Sequence, residues 1–463
     1  MYQIAGNDQS LKDILKQRRQ KLAQLLDFPV ILWSGIPISR NFKANYYPFR
    51  ASSHFLYFAG LNLENAVILL KNGKLTLFKD NPTPNNTLWH GETPTRETIA
   101  RDIGADYAYP LAELANYTAK AATVAVQEIN TYQQQTKLLK RSIFPSNTPE
   151  GIDLTLTNAI ITLRLTHDQK ALTEIRKAIA VSIEAHKMGM RATKIGQTEG
   201  QIRGAMEGVI IAHNMACAYG SIVTVHGEIL HNQDYGHILT SGDLLLADVG
   251  AETPLGWASD ITRTWPVTGQ FSPTQRDIYN IVLAAHDRCI ESMKPGVEYR
   301  DLHLSAALTM AEGLVDLGIL KGNPPNLVER DAHALFFPHG VGHLLGLDVH
   351  DMEDLGDLAG YASGRTRSDR FGLGYLRLDR PLKSGMVVTI EPGFYQVPAI
   401  INNRDFREKY QDVINWDKLA KFSDVRGIRI EDDVLITDTG TEVLTADLPT
   451  SPDKIQMIIH DNC

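Results

Sequence analysis

Four acidic residues in the second half of the sequence stand where apolar, strand-like segments begin or end. Asp248 ends LLLAD, Asp260 opens DITRTW, Glu391 follows MVVTI, and Glu431 follows IRI. A carboxylate beside a buried strand is costly unless it is protonated, paired or bound to a metal. One such acid is typical of a strand end in water. Four of them near a histidine cluster indicate a metal site.

The histidine cluster is PHGVGHLLGLDVHD, which contains His339, His343 and His350. The first two have the i, i+4 spacing of a zinc-binding helix, but the glutamate of an HExxH motif is absent, and Gly340 and Gly342 would weaken a helix. One histidine with several carboxylates instead suits a two-metal site. Mn²⁺, Co²⁺ or Zn²⁺ would be bridged by carboxylates and would share a hydroxide nucleophile.

The strand patterns around these acids predict how the carboxylates meet. LLLAD and SDITRTW are separated by a glycine-containing connection, so two strands can pair there and bring Asp248 and Asp260 together. In IRIEDD, the two-residue period of a strand puts Arg429 and Glu431 on one face and the isoleucines on the other.

A weak internal sequence repeat (the echo) links Asp248 and Glu391, two of the four acids. Residues 241–250 read SGDLLLADVG and residues 384–393 read SGMVVTIEPG, each with an acid six residues after the first glycine. Long helical patterns precede both segments. We interpret the echo as the trace of a duplicated unit that places Asp248 and Glu391 at corresponding strand ends.

The first half of the sequence reads as alternating helix and strand. Apolar spacing predicts a helix from Ser10 to about Leu26, and Asn72-Gly73 between two apolar runs predicts a hairpin. Residues 122–129 (ATVAVQEI) are a strand candidate, and the turn-rich residues 144–151 lie near an expected domain boundary. A long helix is expected from about Thr173.

Length, charge and cysteine usage limit the class of protein. The 463 residues carry 46 Lys plus Arg and 54 Asp plus Glu, a net charge of −8 without a basic run, which disfavours nucleic-acid binding. No apolar run approaches a membrane span, and no secretion signal is evident. Three distant cysteines (Cys217, Cys289 and Cys463) favour a reducing compartment. We therefore expect a soluble, cytoplasmic protein of two or three domains.

Five segments in order, ADVG, SDITRTWPVTGQF, HGVGHLLGLDVHD, TIEPGFY and GIRIEDD, closely resemble the proline-specific metallopeptidases with the pita-bread fold, aminopeptidase P and prolidase. YYPFRASSHFLYFAGLN and LWHG also resemble the N-terminal domain of aminopeptidase P. The resemblance implies an α/β (α+β) chain. An N-terminal α/β domain (residues 1–165) would precede a catalytic pita-bread metallopeptidase domain (residues 166–463).

The resemblance also implies a ligand set for two divalent ions, with Mn²⁺ expected first and Co²⁺ or Zn²⁺ as alternatives. Asp248 would chelate one ion, and His343 and Glu391 would hold the other. Asp260 and Glu431 would bridge the two. Glu391 would also handle the proton of the bridging water.

Four further residues receive roles from the same resemblance. His350 would contact the scissile carbonyl, His231 the substrate, and His339 would line the pocket. Arg429 would brace Glu431 and the substrate. Two alternatives stay open, a surface strand cation for Arg429 and a loop residue for His231. Substrates would be proline-containing peptides, and the enzyme would be a dimer or tetramer.

The segment between Asp351 and Glu391 separates two activities. Its length is similar to that of prolidases, in which an arginine at the position of Arg377 grips the carboxylate of a dipeptide. Arg377 and Arg380 are therefore candidate clamps, unless they form salt bridges of a surface loop. The N-terminal domain favours a Xaa-Pro aminopeptidase over the alternative, a Xaa-Pro dipeptidase. A creatine-type hydrolase or a non-catalytic binding module would not need the five ligands.

Overall fold

The computed structural model describes residues 9–145 and 149–460. The chain divides into two compact units, one ending at Leu165 and the other beginning at Thr166. Among the described residues, none of the helices combines the length and the apolar character that crossing a bilayer requires.

The first unit is built on a four-stranded sheet in the order β1-β2-β3-β4. The first three strands are antiparallel, and β4 joins β3 in parallel. The hairpin predicted at Asn72-Gly73 is confirmed, because both residues adopt positive φ (51° and 74°) between β2 and β3. The strands are β1 (Val30–Trp33), β2 (Val67–Lys71), β3 (Lys74–Phe78) and β4 (Tyr107–Tyr109).

Helices cover this sheet, and the predicted first helix is confirmed as α1. Leu15 and Leu22 of α1 are buried, as its apolar spacing requires. A 3₁₀ helix, Leu111–Tyr117, follows β4. The α-helices are α1 (Gln9–Leu25), α2 (Ser53–Ala59), α3 (Pro84–His90), α4 (Arg96–Asp102), α5 (Ile129–Leu139) and α6 (Gly151–Arg164).

The prediction of a strand at residues 122–129 is wrong. Only Ala122 pairs, through a single parallel bridge to Val30. Beyond it, the Gln135 side chain of α5 accepts from the Val126 amide (3.0 Å) and donates to the Val124 carbonyl (2.8 Å). A side-chain amide therefore satisfies the backbone groups that a neighbouring strand would otherwise pair.

Two long helix pairs flank the sheets of the second unit. The helix expected from about Thr173 is confirmed as α7, which packs on α8, and α9 packs on α10 in the same way. The helices are α7 (Gln169–Ala192), α8 (Glu199–Ala212), α9 (Pro273–Ser292), α10 (Tyr299–Asp316), α11 (Pro324–Glu329), α12 (Asp357–Gly360), α13 (Pro398–Ile401), α14 (Arg404–Lys409), α15 (Trp416–Leu419) and α16 (Pro452–His460). Short 3₁₀ helices occur at Ala332–Leu335, Glu353–Leu355 and Ala420–Phe422.

The strands of the second unit form small antiparallel sheets in the orders β6-β7-β9, β10-β13-β14, β11-β12 and β5-β8. The two echoed segments become β7 and β10, each entered through a positive-φ glycine, Gly242 or Gly385. One helix pair precedes each of these strands, so the two segments occupy equivalent places in the chain. The strands are β5 (Ala216–Cys217), β6 (Ile222–Thr224), β7 (Leu244–Asp248), β8 (Ala251–Glu252), β9 (Thr262–Pro266), β10 (Val387–Ile390), β11 (Gly393–Tyr395), β12 (Gly427–Arg429), β13 (Asp432–Ile436) and β14 (Thr441–Val443).

Candidate metal centre

Strands β7 and β9 bring Asp248 and Asp260 together, as the sequence predicted. Asp248 ends β7 opposite Thr262, the first residue of β9, and Asp260 lies two residues before that strand. The connection passes through Gly250, where an added Cβ would lie 1.9 Å from the Ser259 carbonyl oxygen. Only glycine allows the two backbones to approach this closely.

The histidine segment forms an extended loop along β10, without a helix. The amide of Thr389 donates to the His343 carbonyl (3.0 Å), and the amide of Glu391 donates to the Val341 carbonyl (2.8 Å). At Gly342 φ is +152°, and an added Cβ would lie 2.3 Å from the Thr389 carbonyl oxygen. This pairing sets the imidazole of His343 beside the Glu391 carboxylate.

All five predicted ligands converge at this point. His343 Nε2 lies 3.4 Å from Asp260 Oδ2, 3.9 Å from Glu391 Oε1 and 4.0 Å from Glu431 Oε1. Ligand atoms within 4.8 Å of one another form three groups among the described residues. These groups are Asp248, Asp260 and Glu431; His343, Glu391 and Glu431; and Asp260, His343 and His350.

His343 presents the tautomer that a metal requires. Its Nδ1 donates to the Leu344 carbonyl oxygen at 2.9 Å, so the lone pair of Nε2 faces the carboxylates. Burial lowers the pKa of His343 to about 4, which keeps the ring neutral. A neutral imidazole with its second nitrogen held by a carbonyl is the usual form of a metal-binding histidine.

The acids of this cluster are unfavourably placed without a cation. Burial, followed by repulsion from Asp248, raises the pKa of Asp260, and burial with repulsion from Asp260 and Glu391 raises that of Glu431. Burial raises the pKa of Glu391 to about 8, against the opposing charge of Arg429. Bound divalent cations would remove this repulsion, and a donor set rich in carboxylate oxygen suits them. The residues therefore fit a metal centre.

Arg429 and Glu431 lie on the same side of their segment, as the alternation predicted. The Arg429 guanidinium is buried and donates to Asp248 Oδ2 (2.7 Å), to the Tyr395 hydroxyl (3.0 Å) and to Thr262 Oγ1 (3.1 Å). The alternative that Arg429 is only a charged residue on the surface of a strand is therefore excluded. Thr262 in turn donates to Glu431 Oε2 at 2.7 Å, so Arg429 supports two acids of the cluster.

His339 belongs to none of the three ligand groups, although its Nδ1 lies 3.8 Å from Glu391 Oε2. Its Nδ1 donates to the Gly340 carbonyl oxygen (2.7 Å), and its Nε2 accepts from the Tyr395 hydroxyl (2.9 Å). Burial, with the nearby charge of Arg429, lowers the pKa of His339 to about 3. His339 is therefore a neutral residue of the cavity wall.

The cluster lies in a cavity of about 370 Å³. Its lining includes His231 and His350, which the sequence predicted to contact substrate, and the apolar surfaces of Leu230, Pro338 and Tyr375. An apolar wall beside a polar cluster is suited to a proline ring, which has a hydrocarbon surface and no N–H.

The long segment before β10 supplies another wall, which includes Arg377. The guanidinium of Arg377 contacts Glu353 Oε1, and the other oxygen of Glu353 accepts from His350 Nδ1 at 2.5 Å. Arg380 is not a clamp, because it is 8% exposed and donates to the Tyr361 carbonyl oxygen at 2.9 Å. Of the two candidate arginines, the structure brings only Arg377 to the cavity.

Sequence reasoning missed several residues of the site, and Tyr219 and Glu353 have the most direct contacts with its predicted members. The Tyr219 hydroxyl contacts Asp248 Oδ1 (2.6 Å) and Asp260 Oδ1 (2.5 Å), and Glu353 joins His350 to Arg377. Tyr219 lies in a loop before β6, and Glu353 lies in a 3₁₀ turn. Neither belongs to a periodic element, so no local pattern marks them.

The chain belongs to metallopeptidase family M24, whose pattern matches residues 173–438. The pattern of the aminopeptidase P N-terminal domain matches residues 15–129. The expected fold class, an N-terminal domain of this type followed by a catalytic metallopeptidase domain, is therefore confirmed.

Known proteins resemble the chain over nearly its whole length. The Xaa-Pro aminopeptidase of Haemophilus influenzae is 32% identical over 97% of both chains. The Xaa-Pro dipeptidase of Homo sapiens is 29% identical, over 92% of this chain and 87% of its own. The structure of proline aminopeptidase P II from Yersinia pestis superposes with a TM-score of 0.79 at 29% identity, covering 97% of this chain and 99% of its own.

Proposed function

We propose that the chain is a Xaa-Pro aminopeptidase, a dinuclear metallopeptidase that hydrolyses the bond between an N-terminal residue and a following proline. The observation that carries the proposal is the convergence of Asp248, Asp260, His343, Glu391 and Glu431 at the base of one cavity. The aminopeptidase P N-terminal domain and the aminopeptidase relatives support the same activity.

The five residues would hold two divalent ions, with Glu431 common to two groups of potential ligands. When bound, such ions supply Lewis acidity and a nucleophile at neutral pH. We propose Mn²⁺ as the physiological ion, with Co²⁺ or Zn²⁺ as alternatives, because four of the five ligands are carboxylates.

Glu391 is the carboxylate best placed to move a proton. Its side chain is 17% exposed, against 13% for Asp248, 6% for Asp260 and 2% for Glu431, so it is the most open of the four. Glu391 would take a proton from the attacking water and pass it to the proline nitrogen as the C–N bond breaks. The neighbouring His350 would contact the carbonyl oxygen, and His231 the substrate.

The proposal is tested with Ala-Pro-Ala-Ala and Ala-Pro at equal concentration and added Mn²⁺, with free alanine followed by mass spectrometry. Faster release from the tetrapeptide supports the aminopeptidase. Release from neither substrate by protein shown to hold Mn²⁺ overturns it. Glu391→Gln is expected to abolish release, and Glu298→Gln, which alters a carboxylate that pairs with Arg365 and does not line the cavity, should not.

A Xaa-Pro dipeptidase is the second candidate, because Arg377 lines the cavity and could bind a terminal carboxylate. Cleavage of Ala-Pro alone would establish it. In that case Arg377→Gln would raise KM for the dipeptide.

We further propose a homo-oligomer, dimer or tetramer, in the cytoplasm. Leu88 and Trp89 on α3 are 75% and 73% exposed, which suits a contact between subunits. Light scattering of the wild type and of Trp89→Ala tests the assembly.

Cell fractionation tests the proposed cytoplasmic compartment, which the free thiols of Cys217 and Cys289 support.

A further inference from the structure

The carboxylate of Glu353 forms an ion pair with Arg377, the arginine that is the candidate ligand for the terminal carboxylate of a dipeptide. Arg377 NH1 contacts Glu353 Oε1, and within the described ranges this is the only side-chain partner of Arg377. Arg377 lines the cavity, whereas Glu353 does not. Glu353 therefore faces the guanidinium from outside the substrate space.

The second oxygen of Glu353 is fixed as well. It accepts from His350 Nδ1, whose ring lies 4.1 Å from that of His343 between centroids. Glu353 also begins a 3₁₀ turn, Glu353–Leu355, after Met352 in the left-handed conformation (φ 59°). Two polar partners and a defined turn hold the carboxylate in place, so it is not a freely rotating surface charge.

We propose that Glu353 is a specificity-determining residue, which neutralises Arg377 and so favours peptides that extend beyond proline over Xaa-Pro dipeptides. The inference rests on the proposed function. A dipeptide places its terminal carboxylate one residue after the scissile bond, and that carboxylate would meet a guanidinium whose charge Glu353 already neutralises. A longer peptide has a neutral amide there and loses nothing.

The test uses Glu353→Gln, which keeps the shape and removes the charge. The quantity measured is the ratio of kcat/KM for Ala-Pro to that for Ala-Pro-Ala-Ala with Mn²⁺. A loss of support for His350 lowers kcat for both substrates and cancels in the ratio. The Glu353–Arg377 pair is 48% and 35% exposed, so we expect a rise of three- to about fivefold. The rise should come from a lower KM for Ala-Pro alone.

Two controls make the result specific. Glu298→Gln removes a carboxylate that pairs with Arg365 of the same segment at 2.6 Å with similar exposure, and it should leave the ratio unchanged. The double variant Glu353→Gln/Arg377→Gln should lose the gain. An unchanged ratio in Glu353→Gln, or an equal rise in the double variant, overturns the inference.

A binding measurement separates this inference from the proposed function. N-acetylproline and its amide differ only in the carboxylate, and their affinities for the Mn²⁺-loaded protein do not depend on turnover. Glu353→Gln should strengthen binding of the acid relative to the amide by a similar factor. If the wild type releases no alanine, the proposed function fails. In that case the binding measurement decides the inference, which fails if Glu353→Gln leaves the affinity for N-acetylproline relative to its amide unchanged. The same comparison with Glu353→Asp, which keeps the charge, should stay within twofold of the wild type.

Discussion

Replacing Arg429 by glutamine should weaken Mn²⁺ binding while the chain stays folded. The substitution removes the bond from the guanidinium to Asp248 Oδ2 (2.7 Å) and the support given to Glu431 through Thr262. A charge-assisted hydrogen bond contributes about 2 kcal/mol. Arg429 is 4% exposed, so solvent screening does not reduce this value. The loss corresponds to a roughly 30-fold weaker Kd, within the range seen when outer ligand supports are removed.

The assay is a titration of metal-free protein with Mn²⁺, followed by the electron paramagnetic resonance signal of the free ion. Arg429→Lys keeps the charge with fewer donors and should fall between the wild type and Arg429→Gln. Arg330→Gln is the matched control, because Arg330 forms an exposed pair with Asp412. Wild-type affinity in Arg429→Gln, or an equal loss in Arg330→Gln, would refute the reasoning.

Three further predictions concern metal, backbone and pH. Chelation should abolish alanine release and lower Tm, because the buried acids then repel one another, and Mn²⁺ should restore both. Gly250→Ala should destabilise the protein by about 3 kcal/mol in denaturant unfolding, since the Ser259 carbonyl cannot move aside. Burial lowers the pKa of His303 to about 3 and of His333 to about 4. Below pH 6.5 these two imidazoles become protonated in the unfolded chain but stay neutral in the folded one. They should therefore lower stability by about 2 kcal/mol between pH 6.5 and 5.5, and the other buried histidines with a lowered pKa, such as His186, His339 and His343, should add to this fall.

Each of these predictions has a matched control. For the chelation experiment, the same buffer without the chelator should leave Tm unchanged. Gly204→Ala on α8, where an added Cβ meets nothing within 4 Å, should not destabilise the protein. The double variant His303→Met/His333→Met should make the pH slope shallower than that of the wild type, by about 2 kcal/mol over this interval. A slope as steep as that of the wild type would contradict the assignment to these two residues.

The metal-ligand candidates were open to prediction because their positions are periodic. Asp248 and Glu391 end apolar strands in echoed segments, and the alternation in IRIEDD separates Arg429 and Glu431 from the buried isoleucines. Such patterns report burial directly, because a strand alternates faces whatever its partners are. The prediction for residues 122–129 failed because apolar composition does not reveal what the backbone pairs with. Here that partner is Gln135, a side chain of the following helix.

The sequence by itself therefore determined the family, the order of the two domains and the residues able to bind metal. Only the tertiary structure decided that the Arg429 guanidinium supports Asp248 and that the Tyr219 hydroxyl contacts both Asp248 and Asp260. It also decided that Glu353 pairs with Arg377, whereas Arg380 is buried. These contacts join side chains from loops and turns to strands far away in the chain. Their geometry depends on the path of the backbone between elements, which neither residue type nor spacing specifies.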